Sequence, residues 1–170
     1  MKVRKWAEFV ADFPDDQVDD GNDISQFGGR NVAETVVDIL KSLGCTAEDP
    51  EVSDHYGWSV AAKIRDTKIW CEVTSLPPGF ILSIEENSLR KGYDYLFADV
   101  LIQFHQALIG DGRFHDIVWK TQEEMDDPEG TGSPEPVTES PEPPGGWPEP
   151  RDNRTASSSK PWWKKLLGLN

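Results

Sequence analysis

The first 126 of the chain's 170 residues predict a two-layer α+β domain, in which an antiparallel three-strand meander plus a fourth strand packs with two helices. Three observations carry that expectation. Residues 56–85 alternate apolar and polar side chains through three runs separated by turn residues, the period-2 signature of strands. Two flanking segments repeat their apolar residues at three and four, as helices with one face to bury must. A sharp change of composition at Asp126 then closes the folded part.

Residues 4–12 carry Trp6, Phe9 and Val10 at spacings compatible with two turns of helix or with a strand, and Pro14 stops either one. The following loop holds Asp15, Asp16, Asp19, Asp20 and Asp23. It resembles a calcium loop only superficially. Counting from Asp16 puts Val18 at the second ligand position and Phe27 where the bidentate glutamate belongs, so a solvated acidic loop is expected. Gly28-Gly29-Arg30 then opens a helix with Asn31 as its expected N-cap and Glu34 at the capping-box spacing. Val32, Val36, Ile39, Leu40 and Leu43 form its apolar face and Gly44 ends it. A Gly-Gly pair before a helix N-terminus is also a place where an anion fits, although the Lys-Ser/Thr of a phosphate loop is missing.

Residues 45–55 read as a polar connection to the meander. Within the meander, Trp58, Val60, Ala62 and Ile64 face the core with Ile69, Cys71 and Val73, whereas Trp70, Glu72 and Thr74 project to the opposite face. Pro77-Pro78-Gly79 turns the chain into the third run, residues 80–84. A wide apolar stripe from Tyr93 to Ile109 predicts the second helix, and residues 114–120 predict the fourth strand. The order helix, three strands, helix, strand loosely resembles small secretion chaperones and several toxin-immunity domains, at the level of layout alone.

Residues 127–159 are Pro, Glu, Gly, Ser and Thr with almost no apolar content, the composition of a disordered linker. Residues 160–170 differ abruptly. Trp162, Trp163, Leu166 and Leu167 fall on one arc at 100° per residue, with Lys164 and Lys165 on the other, an amphipathic aromatic-basic motif that orders on contact with an apolar groove on a partner, with this domain itself or with a membrane surface.

Residues 1–126 carry 12 Lys and Arg against 24 Asp and Glu, within a whole-chain charge of −14. Such a surface repels phosphate backbones, which argues against nucleic acid and favours a basic protein as partner. Two cysteines, Cys45 and Cys71, make neither a disulfide framework nor a metal site. No apolar run approaches the ~18 residues of a membrane span and the N-terminus lacks a signal-peptide core, which predicts a cytoplasmic protein.

The histidines, His55, His105 and His115, stand in no ligand spacing, and no nucleophile, phosphate-loop or zinc-protease motif occurs. No catalytic, metal or cofactor residues are therefore assigned. The expectation is a non-enzymatic acidic protein-binding module with a tethered C-terminal contact motif. Its candidate contacts are the five loop aspartates, Trp70 and the tail residues Trp162, Trp163, Lys164, Lys165, Leu166 and Leu167. An immunity-type inhibitor of a basic toxin or nuclease, acting through residues 15–23, is the alternative; a small enzyme of unknown reaction is the third reading.

Overall fold

A computed structural model of the chain describes residues 1–21, 23–87 and 94–138. In chain order the elements are β1 (Lys2–Val3), β2 (Trp6–Ala11), β3 (Val18–Asp19), β4 (Ile24–Gln26), α1 (Arg30–Ser42), β5 (Thr46–Ala47) and β6 (Glu51–Ser53). There follow β7 (Gly57–Ile64), β8 (Thr67–Leu76), β9 (Gly79–Asn87), α2 (Asp94–Gly110), β10 (Phe114–Lys120), α3 (Gln122–Asp126) and β11 (Val137–Thr138). The main sheet runs β10-β2-β9-β8-β7-β5, with β6 sharing the β7 edge beside β5, and all of its pairs are antiparallel. The class is α+β, as expected, and the meander β7-β8-β9 is its centre.

One strand was not settled by its sequence spacing. Residues 6–11 enter the sheet between β9 and β10, so the expected fourth strand does not adjoin the meander directly. Ala7 and Phe9 are buried opposite Leu82 and Phe80, while Trp6 and Glu8 take the other face opposite Ser83 and Ile81. Pairing on both sides makes the strand conformation the one that satisfies every backbone group, which a lone helix at that position would not bury. The connection over residues 45–55 likewise holds β5 and β6, which pair with β7 at Ala62 to Lys63 and at Gly57 to Ser59.

The core lies between the inner sheet face and the two long helices. Val32, Val36 and Leu40 of α1 and Phe97, Leu101, Phe104 and Leu108 of α2 are sealed against Val60, Cys71, Leu82 and Ile84. Burying each such side chain contributes about 1.5–3 kcal/mol. Trp119 of β10 is fully buried beside them, and its indole Nε1–H donates to Nδ1 of His105 at 3.1 Å.

The start of α1 departs from the expected capping box. Helical geometry begins at Arg30, so Asn31 lies inside the first turn and its N–H is itself one of the groups needing a partner. The acceptor comes from 15 residues upstream: Asp16 takes the Gly29 N–H on Oδ1 at 2.6 Å and the Asn31 N–H on Oδ2 at 2.7 Å. Gly29 sits at φ 92°, a left-handed conformation that favours glycine. Glu34 pairs instead with Arg30 at 3.0 Å. The helix ends as expected, with Gly44 at φ 84° and the Cys45 and Gly44 N–H groups bonded to the Leu40 and Lys41 carbonyls.

The folded chain also continues past Asp126. Trp119 and Ser133 exchange both backbone hydrogen bonds, at 2.7 and 2.8 Å, and β11 pairs with β1 at Val137–Val3 and Thr138–Lys2. Val137 is buried. A boundary drawn at Asp126 from composition therefore falls twelve residues short of the last described pairing, because backbone pairing to a fixed edge orders a segment that brings little apolar area of its own. The rest of the expected linker, 139–159, and the tail motif, 160–170, lie outside the described residues.

Candidate functional site

The strand register fixes which side chains share the outer face of the sheet. Trp6, Ser83, Glu72 and Ser59 form one row across β2, β9, β8 and β7. Glu85, Trp70 and Ala61 form the row on one side of it, and Glu8, Ile81 and Thr74 the row on the other. None of these residues belongs to the core cluster, which draws on the inner sheet face, the helices and Cys45 in the turn after α1.

Between Trp6 and Trp70 the face is concave, with a volume of about 490 Å3 bordered also by His55, Glu72, Ile81 and Glu85. Ser83, 6% exposed, forms the floor. Two strand spacings and a two-residue offset put the Cα atoms of the two tryptophans roughly 12 Å apart, on a diagonal that crosses β9 between Ser83 and Glu85. Trp70 is 48% exposed. A half-exposed indole on one side of a concavity that also holds Trp6 offers apolar surface and an indole face, and indole faces attract cations.

Two carboxylates, Glu72 and Glu85, border the concavity, while Lys120 of β10 stands beside Trp6 in the same row and Lys68 lies one row beyond Trp70. Glu72 is held in place by the Ser53 hydroxyl, and Nδ1 of the exposed His55 lies 3.1 Å from the same Oε1. Glu85 stands on the exposed end of the neighbouring row. Glu8, further along, already pairs with Lys120 at 2.8 Å. Negative charge in the concavity therefore rests with Glu72 and Glu85, within reach of anything seated between the tryptophans.

The five loop aspartates are used differently. Asp15, Asp19 and Asp20 accept from the backbone N–H groups of Gln17, Gly21 and Asp23, at 2.8–3.0 Å. Asp23 accepts from Ile24 N–H at 2.8 Å, and Asp16 caps α1. The loop is thus a β3–β4 hairpin built on aspartate-to-backbone turns, the ordinary way short acidic side chains fold a tight segment. The helix N-terminus that sequence allowed as an anion site holds the chain's own carboxylate. Among the described residues, no group of three His, Cys, Asp or Glu side chains is placed to hold a metal ion.

The two cysteines are packed away. Cys71 is fully buried and Cys45 nearly so, and burial pushes both thiols upward, away from the reactive thiolate. His105 is 5% exposed, its ring engaged by Trp119, and desolvation lowers its pKa while Glu135 acts weakly in the opposite sense. His115 is on the surface between Asp116 and Asp12, which raise its pKa. No described helix is long and apolar enough to cross a membrane.

Of the expected contact residues, Trp70 stands in the concavity, the aspartates serve the hairpin and helix, and Trp162, Trp163, Lys164, Lys165, Leu166 and Leu167 lie outside the described residues. Trp6, Ser83 and Glu85 complete the site and were not anticipated. Their signal was present in the alternation of Trp6, Glu8 and Val10 against Ala7 and Phe9, which identifies the strand that brings Trp6 to the outer face. The chain matches no protein-family model, no curated protein and no solved structure.

Proposed function

We propose that this domain is a non-enzymatic protein-binding module whose outer sheet face receives a basic segment of a partner protein. The observation that carries the reading is the half-exposed Trp70 sharing one concavity with Trp6, with Glu72 and Glu85 on its border. A lysine or arginine side chain placed there meets an indole face and a carboxylate together. The aromatic contact alone is worth about 0.5–2 kcal/mol, depending on how far water is excluded. The net charge of −14 acts in the same sense over longer range, steering positively charged partners toward the molecule. An inhibitor of a basic toxin or nuclease is one form such a partnership takes. The hairpin of residues 15–23 adds to the same negative field, because a backbone N–H on one carboxylate oxygen leaves the charge in place.

Titration of the isotopically labelled protein with short peptides of equal length, one rich in lysine and arginine and one rich in glutamate, tests the reading. The basic peptide is expected to shift the indole N–H signals of Trp6 and Trp70 selectively, and Trp70→Ala to weaken binding about tenfold, the loss of one anchor contact. Equal binding of the acidic peptide, or shifts confined to the helices, would refute it.

A further inference from the structure

We infer that the C-terminal segment, residues 160–170, docks in cis on the outer sheet face over Trp6 and Trp70 and screens that face from a basic partner. The inference rests on the functional reading above, since it takes the same site and the same ligand chemistry. Three observations carry it independently of any partner.

The first is where the described chain ends. Thr138 pairs with Lys2, four residues from Trp6, so the attachment point of the remaining chain lies no more than roughly 20 Å from the concavity. The second is length. Residues 139–159 give 21 residues of connection, whose flexible-coil span is roughly 25 Å and whose polyproline-like limit is about 65 Å. Either exceeds the distance to be covered, and a tether of this length holds its end at an effective concentration near the millimolar range.

The third is charge and side-chain type. Residues 153–170 contain Arg154, Lys160, Lys164 and Lys165 and not one acidic residue, in a chain that otherwise carries a large negative excess. Trp162 and Trp163 stand next to Lys164 and Lys165, so one short segment offers both the flat apolar surface that suits Trp6, Trp70 and Ile81 and the cations that suit Glu72 and Glu85. An intramolecular ligand of this kind competes with any basic segment arriving from outside. Weak docking suffices, because the tether supplies the concentration.

Paramagnetic broadening tests this in the full chain. Cys45 and Cys71 are buried, so a nitroxide reacts selectively at Asn170→Cys. Strong broadening is expected at Trp6, Trp70 and Ile81, little at Asp38 of α1, and relief by raised salt and by the double substitution Trp162→Ala with Trp163→Ala. The same double substitution should tighten binding of the added lysine-arginine peptide about tenfold, by removing its competitor. Uniform broadening over the surface would overturn the inference. So would broadening that appears only when labelled and isotopically enriched copies are mixed, which means a second copy is the occupant, or only on addition of anionic phosphatidylserine vesicles, which means the tail is a membrane anchor. If the peptide binds at Trp70 with unchanged affinity in both forms of the chain and no local broadening occurs, cis docking fails while the binding face stands. If the peptide binds neither form, the binding face itself fails.

Discussion

Asp16 shows how a residue that reads as surface charge becomes structural. Its two oxygens take the N–H groups of Gly29 and Asn31, at the end of α1 where unpaired donors and the positive end of the helix dipole coincide. Asp16→Ala should therefore cost about 1–2 kcal/mol in chemical denaturation, the range of a lost N-cap. Asp15→Ala removes only one exposed turn bond and should stay within about 0.5 kcal/mol. Equal effects of the two substitutions would refute the capping role. His105 gives a second prediction. Its Nδ1 accepts from the Trp119 indole and burial lowers its pKa below the ordinary 6.5, so the unfolded chain takes up this proton at a higher pH than the folded one. Stability contributed by the neutral ring is complete above pH 6.5 and falls as pH drops from there toward the lowered folded value. Denaturation midpoints at pH 7.5 and 5.5 should differ more for the wild type than for His105→Asn, whose side-chain oxygen can accept the same bond and has no proton to gain. Parallel pH dependences would exclude this role for His105. Neither role was legible in the sequence, since the acceptor for a helix end came from 15 residues away and the partner of a helical histidine from a strand.

The elements divide by how much of their identity they carry locally. The meander and the two long helices were legible because each carries apolar residues at the right period over five or more residues. The ordering of residues 2–3, 46–47 and 137–138 was not, because two-residue strands have no period and exist only by pairing to an edge supplied by distant chain. The short helix α3 does carry a local signal: Thr121 and Glu124 form a true capping box, with the Thr121 N–H on Oε2 of Glu124 at 2.9 Å. Glu124 also ties this region to the N-terminus, with Arg4 Nε at 2.9 Å and Lys2 Nζ at 2.7 Å, and these partners hold its carboxyl down at about 2 against an ordinary 4.5. Arg4, 8% exposed, further donates to the Thr138 hydroxyl at 3.1 Å. Glu124→Ala would leave that guanidinium buried without its carboxylate and should destabilise by about 3 kcal/mol. The stabilisation it removes is fully present above pH 4.5 and is lost as pH falls toward 2, so the gap between wild type and variant should close in acid. A chain ending at Asp126, which lacks the Ser133 bridge and β11, should melt below one ending at Glu139, and limited proteolysis of the intact protein should leave a resistant fragment that retains Thr138. Identical melting of the two truncated chains would show that residues 127–138 contribute nothing.

At the scale of the whole molecule, charge and shape point the same way but act on different steps of association. Half of the outer-face concavity was legible: Trp70, Glu72 and Thr74 were placed on the outer side by alternation alone, whereas Trp6 and Glu85 joined them only through the register of β2 and β9. The kinetics of a basic partner should separate the two contributions. Long-range attraction to a molecule of net charge −14 raises the encounter rate, and salt screens it over a Debye length of about 8–10 Å. Trp70 acts only after encounter, when its indole face is covered and water leaves. Stopped-flow or surface-based measurement with the lysine-arginine peptide, on a chain carrying Trp162→Ala and Trp163→Ala so that the face is clear, should therefore show an on-rate that falls several-fold between low and physiological salt. Trp70→Ala should leave that on-rate within about twofold and raise the off-rate about tenfold, equivalent to roughly 1.4 kcal/mol. Glu85→Gln, which removes one charge from the rim without touching the floor at Ser83, should show the reverse pattern, with a reduced on-rate, a shallower salt dependence and an off-rate changed by less than about threefold. An off-rate insensitive to Trp70, or an on-rate insensitive to salt, would mean that the acidic surface and the tryptophan pair do not serve one binding event.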